Sequence, residues 1–96
     1  MAIRFVVYIE ALSGHRDDVI ASSAKRGRVV REQPGCQEFE TYQSIERPDR
    51  FVLLEKWADE QALRAHWATI PNTSGSAPTR QIIEMERYEI PDRPAS

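Results

Sequence analysis

Four stretches of strand chemistry and two helical stretches, in the order strand, helix, strand, strand, helix, strand, predict an α+β fold. That order is the ferredoxin-like split βαβ arrangement, a four-stranded antiparallel sheet with both helices on one face. Two further observations set the scale. The 96 residues, 41% hydrophobic and 29% charged, make one globular domain, 1–96, with an ordered core at about 2–90. Folding at this size buries only about two-thirds of the surface the unfolded chain exposes, so association between copies is expected as a supplement.

Ile3 to Leu12 is rich in β-branched and aromatic residues. Alternation puts Ile3, Phe5, Val7, Ile9 and Ala11 on one face and Arg4, Val6, Tyr8, Glu10 and Leu12 on the other. The second face is half apolar, which predicts a sheet covered on both sides, by helices and by a second copy of the chain. Ser13-Gly14 stops the strand, Ser13 is placed to cap the next helix, and Asp17 and Asp18 suit its first turn. That helix is expected from about His15 to Gln33, where Pro34-Gly35 breaks it. Val19, Ile20, Ala24, Val29 and Val30 form its thin apolar stripe, with Gly27 where a backbone or ligand could approach closely.

Cys36 to Ile45 alternates as a strand, Arg47-Pro48-Asp49-Arg50 supplies a turn, and Phe51 to Trp57 completes a hairpin. Asp59 is the N-cap of a short second helix in which Leu63, Trp67 and Ile70 share one face. Pro71 to Thr79 reads as a loop, Gln81 to Ile90 as the last strand, and Pro91 to Ser96 as a frayed tail.

Composition narrows the function. Thirteen basic and fifteen acidic residues leave a net charge of −2 with no Lys or Arg stripe, so nucleic acid is not the expected partner. Cys36 is the sole cysteine, which excludes an intrachain disulfide or a multi-thiolate metal site and fits a reducing cytoplasm. The longest apolar run near the N-terminus, Phe5 to Ile9, is far shorter than the roughly 20 residues of a membrane helix and is bracketed by charges, unlike a signal peptide. No Walker loop, Rossmann glycine pattern, nucleophile elbow or zinc-binding helix occurs, so neither cofactor nor metal is expected.

The segment Gln33-Pro34-Gly35-Cys36, the strand Phe51 to Trp57 with its Glu55-Lys56-Trp57 ending, Asp59, and Leu63-Arg64-Ala65-His66 resemble the antibiotic biosynthesis monooxygenase family. The resemblance covers nearly the whole chain. It implies a dimeric α+β barrel, in which the sheets of a homodimer pack together and each subunit holds a pocket between sheet and helices. The best-known members oxidise phenols, quinols or anthrone-like compounds with dioxygen and neither metal nor flavin. Relatives degrade haem or isomerise a phosphorylated signalling sugar. The haem degraders carry an Asn about seven residues before the Gly that starts the first helix and a His beyond the second. Counting back from Gly14 finds Val7, and no His follows His66, so haem chemistry is not expected.

Within that frame His66 is the candidate base, since an imidazole titrating near neutrality can take a phenolic or carbon-bound proton and leave an anion that reacts with oxygen. A packing role between helix and sheet is the alternative. Glu55 is a candidate to orient His66, or else an interface ion pair. Trp57 and Trp67 could line an aromatic pocket, but both read as core residues first. Among Tyr8, Tyr42 and Tyr88, Tyr42 is the expected pocket phenol. Asn72 and Arg80 bracket the loop, and Arg80 could hold a carboxylate, phosphate or enolate oxygen. Glu38, Glu40, His15 and Cys36 are expected to be solvated or packing residues. The leading expectation is a cofactor-independent monooxygenase acting on a small aromatic substrate. A non-catalytic dimeric binding domain and an isomerase of a small metabolite are the alternatives.

Overall fold

The computed structural model describes residues 1–70 and 79–91. Six elements follow in the expected order: β1 (Ala2–Ala11), α1 (Arg16–Val30), β2 (Cys36–Gln43), β3 (Arg50–Trp57), α2 (Glu60–Trp67) and β4 (Arg80–Ile90). The sheet order is β2-β3-β1-β4, with every neighbouring pair antiparallel. Of the loop expected at Pro71 to Thr79, residues 71–78, Asn72 among them, fall outside the described residues, as does most of the tail.

Both helices pack on the face that carries Ile3, Phe5, Val7, Ile9 and Ala11. Two buried clusters form beneath them. One joins Ile3, Val30, Phe39, Trp57 and Leu63; the other joins Val7, Ile9, Ala11, Val19 and Phe51. Phe5 and Leu53, partly buried, touch both clusters and bridge them. The opposite face holds Val6, Tyr8, Val52, Leu54, Tyr42 and Tyr88, and its tyrosines Tyr8 and Tyr88 both donate to the Glu86 carboxylate, at 3.2 and 3.0 Å.

Strict alternation fails at two places. Between Tyr8 and Ile9 the register with β4 slips, so that Val7 pairs with Met85 but Ile9 with Ile82. One residue is extra, and Ile82 and Met85 consequently face the helices together. A second slip, between Cys36 and Glu38, leaves Gln37 unpaired and turns both Cys36 and Phe39 inward.

Helix ends also shift from expectation. The N-cap of α1 is His15, whose side chain caps no backbone N–H, so Ser13 does not cap it, and the helix stops at Val30 because residues 31–35 turn instead. Asp59 does cap α2, accepting the Ala62 N–H at 2.8 Å. At Gly27 the close approach comes from the Arg31 guanidinium, which crosses to donate to the Phe39 carbonyl at 2.7 Å. No helix of the described residues is long and apolar enough to cross a membrane.

Gly35 joins the first half of the chain to α2. Its φ of +79° favours glycine, its carbonyl accepts the Ala58 N–H at 2.8 Å, and an added Cβ would stand 2.5 Å from the Ala62 methyl. Gly14 shares the left-handed conformation, at +82°, but an added Cβ there meets nothing within 4 Å. Gly14→Ala is therefore expected to cost about 1 kcal/mol, the backbone penalty alone, and Gly35→Ala to cost about 1–3 kcal/mol more through the clash. Denaturant unfolding of both variants measures this; equal losses would contradict the packing described.

Candidate active site

Glu55 is placed by β3 on the helix-covered face, where alternation from Phe51 and Leu53 puts it, and it is only 5% exposed. A carboxylate in such a position must find donors in the protein. Trp57, two residues on and on the same face, supplies one: its indole N–H donates to Glu55 Oε1 at 2.9 Å. Burial raises the Glu55 carboxyl above its ordinary value, a shift partly opposed by the indole bond and the positive charge of Arg26.

His66 comes to the same point from α2. With Leu63 one turn earlier it forms the buried stripe of that helix, and it is 4% exposed. Its ring stacks on Trp57 with centroids 4.6 Å apart and meets Phe39 edge-on at 5.8 Å. The hydrogen bonds around it determine its tautomer. The Thr69 hydroxyl donates to the His66 carbonyl at 2.7 Å, which leaves its own Oγ1 to accept from the Gln33 amide nitrogen at 3.4 Å. The Gln33 carbonyl oxygen then faces His66 Nδ1 at 2.7 Å, so Nδ1 carries the proton and donates it. Nε2 is left with a lone pair directed toward Glu55 Oε1, 3.8 Å away.

That separation is too long for a direct hydrogen bond, and both atoms are acceptors when Glu55 is ionised. The pair is thus a slot for one proton. Burial, followed by the charge of Arg26, lowers the imidazole to about 4, below the near-neutral titration expected from the sequence, so His66 is neutral at physiological pH with its lone pair available, but it is a weaker base than an exposed imidazole.

The slot opens on a cavity of about 690 Å³ between the sheet and the two helices, within the size range of small-molecule sites. Phe5, Val7, Leu53, Ile82 and Met85 give it apolar walls, and Glu55 and His66 belong to its lining. Trp67 lines it too, edge-on to Phe5 at 5.8 Å. Here the core reading of Trp67 is corrected: the indole is 40% exposed, because Leu63 and His66 take the buried stripe of this short helix and leave the adjacent position on its flank. Trp57 is fully buried, behind His66 and outside the lining.

Arg80 faces the cavity from the start of β4, opposite the buried Ala11. Arg26, which sequence reasoning did not single out, faces it from α1. The spacing held a signal, since Arg26 lies seven residues after Val19 and four before Val30, on the stripe that packs against the sheet. Gln33 and Thr69 were missed as well, and their meeting depends on the fold bringing the end of α1 to the end of α2. Tyr42 does not join the site. It pairs with Val52 on the far face of the sheet and is 49% exposed. Cys36 packs beside the first cluster, and burial, then the Glu55 charge, push its thiol up, which disfavours the reactive thiolate. Among the described residues no three His, Cys, Asp or Glu side chains gather as a metal site.

Solved structures share this architecture. A protein from Pseudomonas aeruginosa superposes with a TM-score of 0.82 at 19% identity, covering 95% of each chain. One from Shewanella oneidensis gives 0.79 at 22% identity over 91% of this chain and 88% of the other. A variant of SnoaB, a cofactor-independent oxygenase from Streptomyces nogalater, gives 0.80 at 16% identity over 96% of this chain and 95% of that one. At such identities the likeness establishes the fold. No curated protein matches in sequence. The family profile of antibiotic biosynthesis monooxygenase matches residues 2–69, more than two-thirds of the chain, and the chain therefore belongs to the antibiotic biosynthesis monooxygenase family.

Proposed function

We propose that this protein is a cofactor-independent monooxygenase of quinols, phenols or polycyclic aromatic compounds, with His66 as the base. The observation that carries the reading is a neutral imidazole whose Nε2 lone pair faces a buried carboxylate at the wall of an apolar cavity. A substrate hydroxyl or acidic C–H gives its proton to that slot, and the electron-rich anion left behind is the reductant of dioxygen. For a ring methylene, one oxygen atom becomes the new carbonyl and the other leaves with the two hydrogens as water. Glu55 stabilises the imidazolium that forms, Gln33 and Thr69 hold the ring's tautomer, and Trp67 and Phe5 flank the substrate ring.

The close packing of His66 against Trp57 and Phe39 supports a second reading, a binding domain in which the imidazole is structural. Oxygen uptake with hydroquinones and anthrone-type substrates separates the two. Wild type is expected to consume oxygen, and His66→Gln, which keeps a buried hydrogen-bonding side chain, to lose about 100-fold or more in rate while its circular dichroism is retained. Equal rates in both proteins, or none in either across the panel, would remove the monooxygenase reading.

The functional unit in this proposal is a homodimer joined through the helix-free sheet face, where Val6, Val52 and Leu54 form an apolar centre between tyrosines. Light scattering is expected to give twice the 11.0 kDa chain mass, and Leu54→Arg to halve it. A wild-type mass of 11.0 kDa at micromolar concentration would contradict the dimer.

A further inference from the structure

We propose that Arg26 and Arg80 form a two-guanidinium anion clamp in the wall of the cavity, and that the ligand it holds is an aromatic carboxylate. The proposal rests on the cavity being the substrate site, and it narrows the substrate class within that reading.

The positions of the two side chains are a first argument. One comes from the sheet-facing stripe of α1 and the other from the helix-facing side of β4, and both are half-buried in the lining of the same cavity. Guanidinium groups taken partly out of water are costly unless they are paired. Arg4, Arg16, Arg31, Arg50, Arg64 and Arg87 each pair with a carboxylate, and Arg28 and Arg47, which do not, are exposed to water. Arg26 and Arg80 make no ion pair or hydrogen bond with any of the described residues. A shortage of carboxylates is not the reason, because acidic residues outnumber basic ones by fifteen to thirteen.

Charge within the cavity points the same way. Its titratable members are Arg26, Arg80, Glu55 and His66. His66 is neutral, and Glu55 is engaged by Trp57 and holds its proton more tightly than an exposed carboxyl. Two cations facing one carboxyl leave the cavity positive before any ligand enters. The two guanidinium groups also repel: burial first, and then the charge of Arg26, pull Arg80 below its ordinary range. An anion bound between them removes that repulsion and supplies a partner that the described residues do not provide.

The shape of the complement follows from the rest of the wall. Guanidinium forks match a planar carboxylate through paired N–H donors. Phe5, Leu53, Trp67 and Met85 then offer apolar and aromatic surface for a ring attached to it. A ligand bearing both groups satisfies the whole lining. A neutral quinol would leave the two arginines as they are.

Calorimetric titration of the whole protein with 2-naphthoate and 2-naphthamide, neither of which is oxidised, isolates the clamp from the chemistry. The wild type is expected to bind the acid at least about tenfold more tightly than the amide. In Arg26→Gln and in Arg80→Gln the acid is expected to fall to within about threefold of the amide, and added salt to weaken only the acid in the wild type. Equal affinity for the two compounds, no binding of the acid, or a preference that survives either substitution would overturn the clamp. Oxygen uptake reports separately. A protein that prefers the acid yet oxidises nothing keeps the clamp and loses the monooxygenase reading, and one that oxidises quinols without preferring the acid does the reverse.

Discussion

Glu55 enters β3 on the face that the helices cover, and a carboxylate there has to be satisfied without bulk water. The surrounding structure answers that constraint in layers. Trp57 donates its indole N–H, the indole then becomes the surface on which His66 stacks, and the imidazole turns its lone pair toward the carboxylate. Gln33 and Thr69, from the ends of α1 and α2, hold the other side of the ring. Three separate segments thus converge on one buried acid. Replacing the group by an apolar residue of similar size would have made a simpler core, so its retention beside a cavity marks chemistry more than stability.

The cavity exists because the two hydrophobic clusters do not merge. Phe5 and Leu53 bridge them on the sheet, while α1 enters one cluster through Val19 and the other through Val30, beside Leu63 of α2. The β4 bulge contributes directly, since it brings Ile82 and Met85 to the same wall. Gly35 has a comparable role at the opposite end, where its missing Cβ lets the turn after α1 sit against Ala62 of α2. A small domain has room for such a void only if its remaining core is dense, and five side chains led by Trp57 are almost fully buried.

Most of the fold was legible in the sequence because strand alternation and turn residues are local signals. The family pattern led to His66 and Glu55, and it put Trp57 beside them. Four features were not legible, each for a physical reason. Bulges shift which residues face inward without changing composition, so Ile82 and Met85 could not both be assigned to one face. Trp67 shares helical spacing with Leu63, but a helix of eight residues buries only a narrow stripe, and the indole falls on its flank. Tyr42 sits one residue from Thr41, which does line the cavity, and a single step along a strand reverses the face. Gln33 and Thr69 act through a contact between chain segments 36 residues apart, which no local pattern encodes.

The site depends on a neutral imidazole with Nδ1 protonated and Nε2 free to receive a proton. Nitrogen-15 correlation spectra of the two ring nitrogens of His66, recorded across a pH titration, test it most directly. The Nδ1–H tautomer is expected at neutral pH, with protonation of Nε2 only as pH falls to about 4. An Nε2–H tautomer, or an imidazole that titrates at or above its ordinary 6.5, would contradict it.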